Sequence, residues 1–421
     1  MNIDKNKQLN NFIIAKFNIE ETNSKYNIIN SGVNVMNVPY DIIKHYEEIN
    51  ETVFNEEQIK DSEIYINNKK IAFNYEYEFP EPGEYIIKYK FNKLLNSTFC
   101  MFYDCSSLVS LDLSNFNTKN IKNMAYMFGR CKNLKLLNLN NFNIENTTTM
   151  QGLFYFCNSL ASIDLSSFDT QTVINMKEMF EACTSLISLD LSNFKTGNVE
   201  TMNSMFLDCD SLETIKISNF SNEKVADMDY MFAGCSSLNS LDLSNFNTNN
   251  VKNMRSMFEG CASLKNLDLS NFNMENVEMI YYMFKNCQSL INLNLHNFNT
   301  AKIIDMRGIF SDCTSLISID FTNFNTKKVE IMESMFYNCK SLIKLDLSIL
   351  DLNNLKYAHF MFRNCFSLTF LNFPNIENRD DIYIKDIFCN CNSLTIINVR
   401  KLKNLIEKSN ALYNSDTFDD R

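Results

Sequence analysis

A chain of 421 residues with a formal net charge of −11 carries its 39 Lys and Arg residues scattered, which argues against a phosphate-binding nucleic-acid surface. Only three histidines occur (His45, His296, His359), and the 8 glycines are isolated. That leaves no basis for a His-based triad, a metal cluster or a phosphate loop, so neither catalysis nor a cofactor is expected.

Met1 to Ile14 reads MNIDKNKQLNNFII, with charged and amide residues where a signal peptide needs its apolar core. No run approaches the ~18 apolar residues of a membrane span, so neither export nor membrane insertion is expected. Phe12–Asn18 and Tyr26–Asn30 read as short strands. Tyr40–Phe54 (YDIIKHYEEINETVF) has apolar residues at helical spacing and is predicted to be a helix. From Glu63 to Phe91, breaks at Asn67-Asn68 and Pro80–Gly83 separate three alternating runs, a predicted three-strand meander. Residues 1–95 are therefore expected to form a β-rich capping domain. It is followed by a repeat region over 96–400 and a C-terminal helix and tail over 401–421, the helix at Leu402–Tyr413.

From Cys105 onward a cysteine recurs every 26 residues through Cys391, twelve times without an insertion. Fixed self-similarity of this length is the mark of a solenoid. In the copy from Cys235, leucines at Leu238, Leu241 and Leu243 follow L-x-x-L-x-L, and the last two alternate like a strand. Thr248, Val251, Met254, Met257 and Phe258 then fall at spacings that predict one face of a short helical or 3₁₀ turn, with Thr248 as its N-cap. Phe102 to Phe388 precede the cysteines as an unbroken row, and a second Phe row runs from Phe116 to Phe324. These ladders are the predicted core. The cysteine reads as a small buried apolar residue, and reduced buried thiols point to a cytoplasmic location. Cys100 with Cys105 and Cys389 with Cys391 are close pairs without the further ligands zinc needs.

The recurring block N-F-N-T-x-x-V-x-x-M-x-x-M-F-x-x-C-x-S-L-x-x-L-D-L-S, spread over about Phe99 to Val399, resembles the BspA-like leucine-rich repeat family. The resemblance implies a right-handed leucine-rich-repeat solenoid of about twelve coils with strands on its concave side. It also implies a role in adhesion or partner binding at the cell surface, and it brings no catalytic residues. This chain departs from the usual repeat in placing its recurring Asn one residue early (Asn115, Asn193, Asn245), which does not predict a standard asparagine ladder.

One polar column stands out. The residue between the second and third leucines is acidic at Asp112, Asp164, Asp190, Asp242, Asp268, Asp320 and Asp346, while Lys216 and four Asn residues interrupt it. Strand alternation turns these side chains away from the core, and Ser192, Ser244 and Ser270 are part of a parallel hydroxyl row. Carboxylates at strand spacing repel by roughly 1 kcal/mol per hydrated pair, which favours a basic protein partner or a cation. A merely solvated face, on a structural spacer without a ligand, is the plainer alternative. The sequence thus supports a non-enzymatic binding solenoid, with a surface adhesin and a spacer as rivals.

Overall fold

The computed structural model describes residues 11–31, 55–374 and 381–398. The helices expected at Tyr40–Phe54 and Leu402–Tyr413 lie outside these residues. The chain divides into two compact units, Met1–Asn198 and Val199–Arg421.

The first unit opens with β1 (Phe12–Ile19), whose alternate residues Ile13, Ala15, Phe17 and Ile19 are buried. Strand β2 (Lys25–Asn27) and a five-residue helix α1 (Glu56–Lys60) precede β3 (Glu63–Ile66) and β4 (Lys69–Ile71). Asn67 and Asn68 join β3 to β4 in a two-residue hairpin with φ of 47° and 68°. Positive φ at both positions is what a type I′ turn requires and what Asn tolerates. The three-strand meander expected here is corrected: the next strand, β5 (Glu76–Glu78), pairs with β2 in a separate ribbon. Phe79 at its end packs edge-on against Tyr26 and Tyr77. β6 (Gly83–Lys90) then returns to the other side of β3 and pairs over its full length with β1, from Phe12↔Lys90 to Ile19↔Gly83.

β7 (Leu108–Asp112) and β8 (Leu136–Asn138) are the first strands of the repeat region, and the sheet order is β4-β3-β6-β1-β7-β8. β1 lies antiparallel on β7, with Ile14 opposite Asp112, so the N-terminal sheet occupies the edge of the first coil's strand. An unpaired edge here would be a template for foreign strands.

Both units contain solenoid coils of 26 residues stacked in parallel, the leucine-rich-repeat architecture. In the second unit β11 (Asn266–Asp268) pairs with β12 (Asn292–Asn294), and β13 (Lys344–Asp346) pairs with β14 (Phe370–Asn372) and then β15 (Ile396–Asn398). Inside, the predicted rows are the core. Phe232, Phe258, Phe284 and Phe310 stack face to face at 5.6–5.9 Å with planes within 3° of parallel. Phe102, Phe128, Phe154 and Phe180 also stack in the first unit, at 5.4–6.4 Å with planes within 20° of parallel. Burying each ring removes its apolar area from water, worth about 1.5–3 kcal/mol.

The return path is not helical, which corrects the short helical turn expected there. Among the described residues of the coils none is helical. Two residues per coil take the left-handed conformation, four apart; in one coil these are Ser256 at φ 51° and Gly260 at φ 76°. The pair recurs from Cys100 and Asp104 to Asp386 and Asn390. Peptide directions then alternate. Met257, Glu259 and Cys261 donate their N–H groups three residues back, to Met254, Ser256 and Phe258. Met254, Ser256, Phe258 and Gly260 donate forward to Met279, Tyr281, Met283 and Lys285 of the next coil, at 2.8–3.1 Å. A left-handed non-glycine residue costs about 1–2 kcal/mol, and this doubly bonded path is what holds it there.

In the most regular coils three Asx turns bend the chain: in one, Oδ1 of Asp242, Asn247 and Asn253 accepts from the N–H of Ser244, Asn249 and Arg255. This local side-chain bonding explains the abundance of Asn. Thr248, expected as an N-cap, is instead a buried link between coils, donating to the carbonyl of Asn273 at 3.0 Å and accepting its N–H at 2.7 Å. An asparagine ladder does form at the early position: Asn271 Nδ2 donates to the carbonyls of Leu243 and Phe246, and Asn193 to those of Leu165 and Phe168. Its register is shifted because the turn it closes ends one residue earlier, on the Phe that follows.

The cysteine row is more than apolar filling. From Cys131 onward thiols of the row donate to the carbonyl of the Phe 29 residues earlier, as Cys261 to Phe232 and Cys287 to Phe258, at 3.2 and 3.1 Å. Burial pushes the Cys261 thiol up to about 12, so the donor proton stays on sulfur.

A candidate binding groove on the strand face

The outward side of the strands carries the candidate site. In the second unit a groove of about 620 Å³ spans four coils, lined by Leu241, Asn266, Leu267, Asp268, Ile291, Asn292, Leu293, Asn294, Ser318 and Asp320. Of the predicted acidic column it contains Asp268 and Asp320; Asp242 and Asp346 continue the same column outside it. Asp112, Asp164, Asp190 and Ser192 belong to the first unit and form no part of the groove.

Each carboxylate of the column first does local work. Oδ1 of Asp112, Asp164, Asp190, Asp242, Asp268 and Asp346 accepts the N–H of the Ser two residues on, and Asp320 that of Thr322, at 2.9–3.1 Å. Ser192 and Ser348 also turn their hydroxyls onto the same Oδ1 at 2.6 Å. The serines are therefore partners of the Asp in a turn and not an independent hydroxyl row. Backbone and then hydroxyl hydrogen bonds from Ser244 and Ser270 hold Asp242 and Asp268 below the usual carboxylate range. For Asp164, Asp320 and Asp346 the hydroxyls of Ser166, Thr322 and Ser348 are the larger cause, followed by their N–H groups. These carboxylates are ionised and fixed at neutral pH. Among the described residues none of Asp242, Asp268, Asp320 and Asp346 is in an ion pair.

Asn138 and Asn294 fill the column with the same turn contact, to the N–H of Asn140 and His296. Asn thus serves the turn as Asp does, and the charge at the acidic positions is surplus to it.

A second row escaped the pattern reading. Three residues before the column, Ile291, Ile317 and Ile343 are 40%, 45% and 43% exposed in successive coils. The signal was present in the sequence, as Ile recurring at one phase of the period where other coils have Lys265 or Thr369. Between the two rows, Asn292 Nδ2 bonds Asn266 Oδ1 at 2.7 Å. Among the described residues no group of three or more His, Cys, Asp or Glu side chains is placed to hold a metal ion.

The family model described as "Mycoplasma protein of unknown function, DUF285" matches residues 96–213, 184–293 and 265–372. The chain belongs to this family. Matches to this DUF285 chain among solved structures include a leucine-rich repeat protein from Bacteroides ovatus, at 16% identity over 78% of this chain and 84% of that one, with a TM-score of 0.39. A leucine-rich cell surface protein from Faecalibacterium prausnitzii matches at 17% identity over 65% and 74%, with a TM-score of 0.32. No curated protein matches. Among the described residues no helix is long and apolar enough to cross a membrane.

Proposed function

We propose that the protein is a non-enzymatic binding module whose strand face docks a protein partner. The observation that carries this reading is the exposed Ile291, Ile317 and Ile343 row running beside Asp268, Asp320 and Asp346, which form no ion pair among the described residues. Contiguous exposed apolar side chains with a polar rim are what interaction surfaces present. A spacer has no use for them. Residues 1–95 act as the cap of the stack, a role supported by β1 on the edge of β7.

The test is capture from the native cell's lysate by the parent and by a triple variant, Asp268→Asn, Asp320→Asn and Asp346→Asn. Asn keeps the turn acceptor, as Asn294 does, so the variant folds. A partner held by the parent and lost by the variant supports the reading; capture that is the same for both, or absent from both, defeats it.

The cell-surface adhesin implied by the BspA-like resemblance is a second reading, and the thiols do not count against it. Twelve of the fourteen cysteines are buried, and thiols such as those of Cys261 and Cys287 donate hydrogen bonds inside the core, so their reduced state follows from burial in any compartment. Labelling of intact cells with an impermeant amine reagent decides: an adhesin is labelled, a cytoplasmic protein is not.

A further inference from the structure

Resting on the reading that the strand face binds protein, we infer that its occupant is an amphipathic helix with one cationic stripe, lying along the stacking direction. Two spacings select it. Across the face, Ile317 and Asp320 are three residues apart in the chain and so at most about 11 Å from each other, within the ~10–12 Å diameter of a helix with its side chains. Along the stack, equivalent residues of paired strands such as Asn266 and Asn292 repeat every ~4.8 Å. A helix returns a side chain to the same face about every 5.4 Å. Over three coil steps it drifts by only about 2 Å, within the reach of a Lys or Arg side chain. An extended segment returns a side chain to one face about every 6.7 Å and drifts by roughly 6 Å over the same span, more than a whole coil. Only the helix keeps both rows in register.

The chemistry of the two rows sets the stripes. Ile291, Ile317 and Ile343 receive apolar side chains, and Asp268, Asp320 and Asp346 receive Lys or Arg. Each carboxylate has Oδ1 occupied by its own turn, leaving Oδ2 for a cation. Lys265 stands exposed one coil before the apolar run and Lys344 beside its last member, Ile343, and they oppose a helix that is cationic all round. Binding is therefore to a pattern and not to positive charge alone.

The test is selection from a library of random 20-residue peptides displayed against the full chain, followed by titration of the enriched peptides. The expected result is Lys or Arg recurring at three- and four-residue intervals, with an apolar stripe beside it. Binding should weaken about tenfold in the triple Asp→Asn variant and by a similar factor in Ile317→Asn. Enriched peptides with a two-residue period, peptides indifferent to the triple variant, or the absence of any enriched peptide would overturn the helix. A shuffled peptide of the same composition that binds equally well would also overturn it, by showing a charge-only surface. These outcomes are separable from the failure of the wider reading. A lysate partner lost with the triple variant keeps the strand face as a protein site even when no helical peptide is selected.

Discussion

The two long sides of each coil are built on opposite terms. On the return path backbone hydrogen bonding is doubly used, most N–H groups committed either three residues back or one coil forward, and its Phe, Met and Cys side chains stack in buried rows. On the strand side regular pairing is sparse: the coil holding Ile317 and Asp320 has no named strand, and outward residues vary from Ile to Lys to Thr at one phase. The difference shows where constancy is required. The return path sets coil spacing for both units, which leaves the strand face free to vary in chemistry without loss of the stack.

That contrast can be broken from the rigid side first. Phe284→Ala removes a ring stacked on both neighbours and should cost about 3–5 kcal/mol in denaturant unfolding. Thr248→Val leaves the N–H and carbonyl of Asn273 without their buried hydroxyl partner and should cost about 1–3 kcal/mol in the same assay. Gly308→Ala should lose a comparable ~1–3 kcal/mol, because φ is +55° and a Cβ would sit 2.5 Å from the ring of Tyr282. In native protein a thiol reagent should modify Cys389 and Cys391 first, and the buried twelve only at the rate of unfolding.

The strand face should respond least. Asp320→Asn should leave stability at neutral pH within about 0.5 kcal/mol, since the turn acceptor remains. Its effect belongs to acid: the folded carboxylate titrates below its unfolded value, so the unfolded chain binds protons first as pH falls. The stabilisation is complete at neutral pH and is lost as pH drops below about 4, and the triple Asn variant should show a shallower acid slope.

The period, the Phe and Leu rows and the Asn67-Asn68 hairpin were legible in the sequence because each leaves a repeated or conformationally diagnostic residue. The return path was not. Spacings of three, three and one suit a helix and equally suit a chain of i−3 turns, and only φ at residues such as Ser256 and Tyr282 separates them. Tyr in the left-handed region is not a sequence signal, because its cost is offset by contacts one coil away. The donor role of the cysteines was hidden for a similar reason, since a buried Cys and a small apolar residue leave the same pattern. The acidic column was visible, but its turn contacts required knowing that the backbone bends immediately after it.

The backbone and thiol hydrogen bonds and the stacked Phe rings that join one coil to the next link residues 25 to 29 positions apart along the chain. Apart from the N-terminal sheet seated on the first coil, the described coils have no remote clasp to break under tension. Pulled from its ends, the solenoid should pay out one coil at a time, each yielding 26 residues and roughly 90 Å of slack, so that the molecule lengthens in equal steps like a tape from a spool.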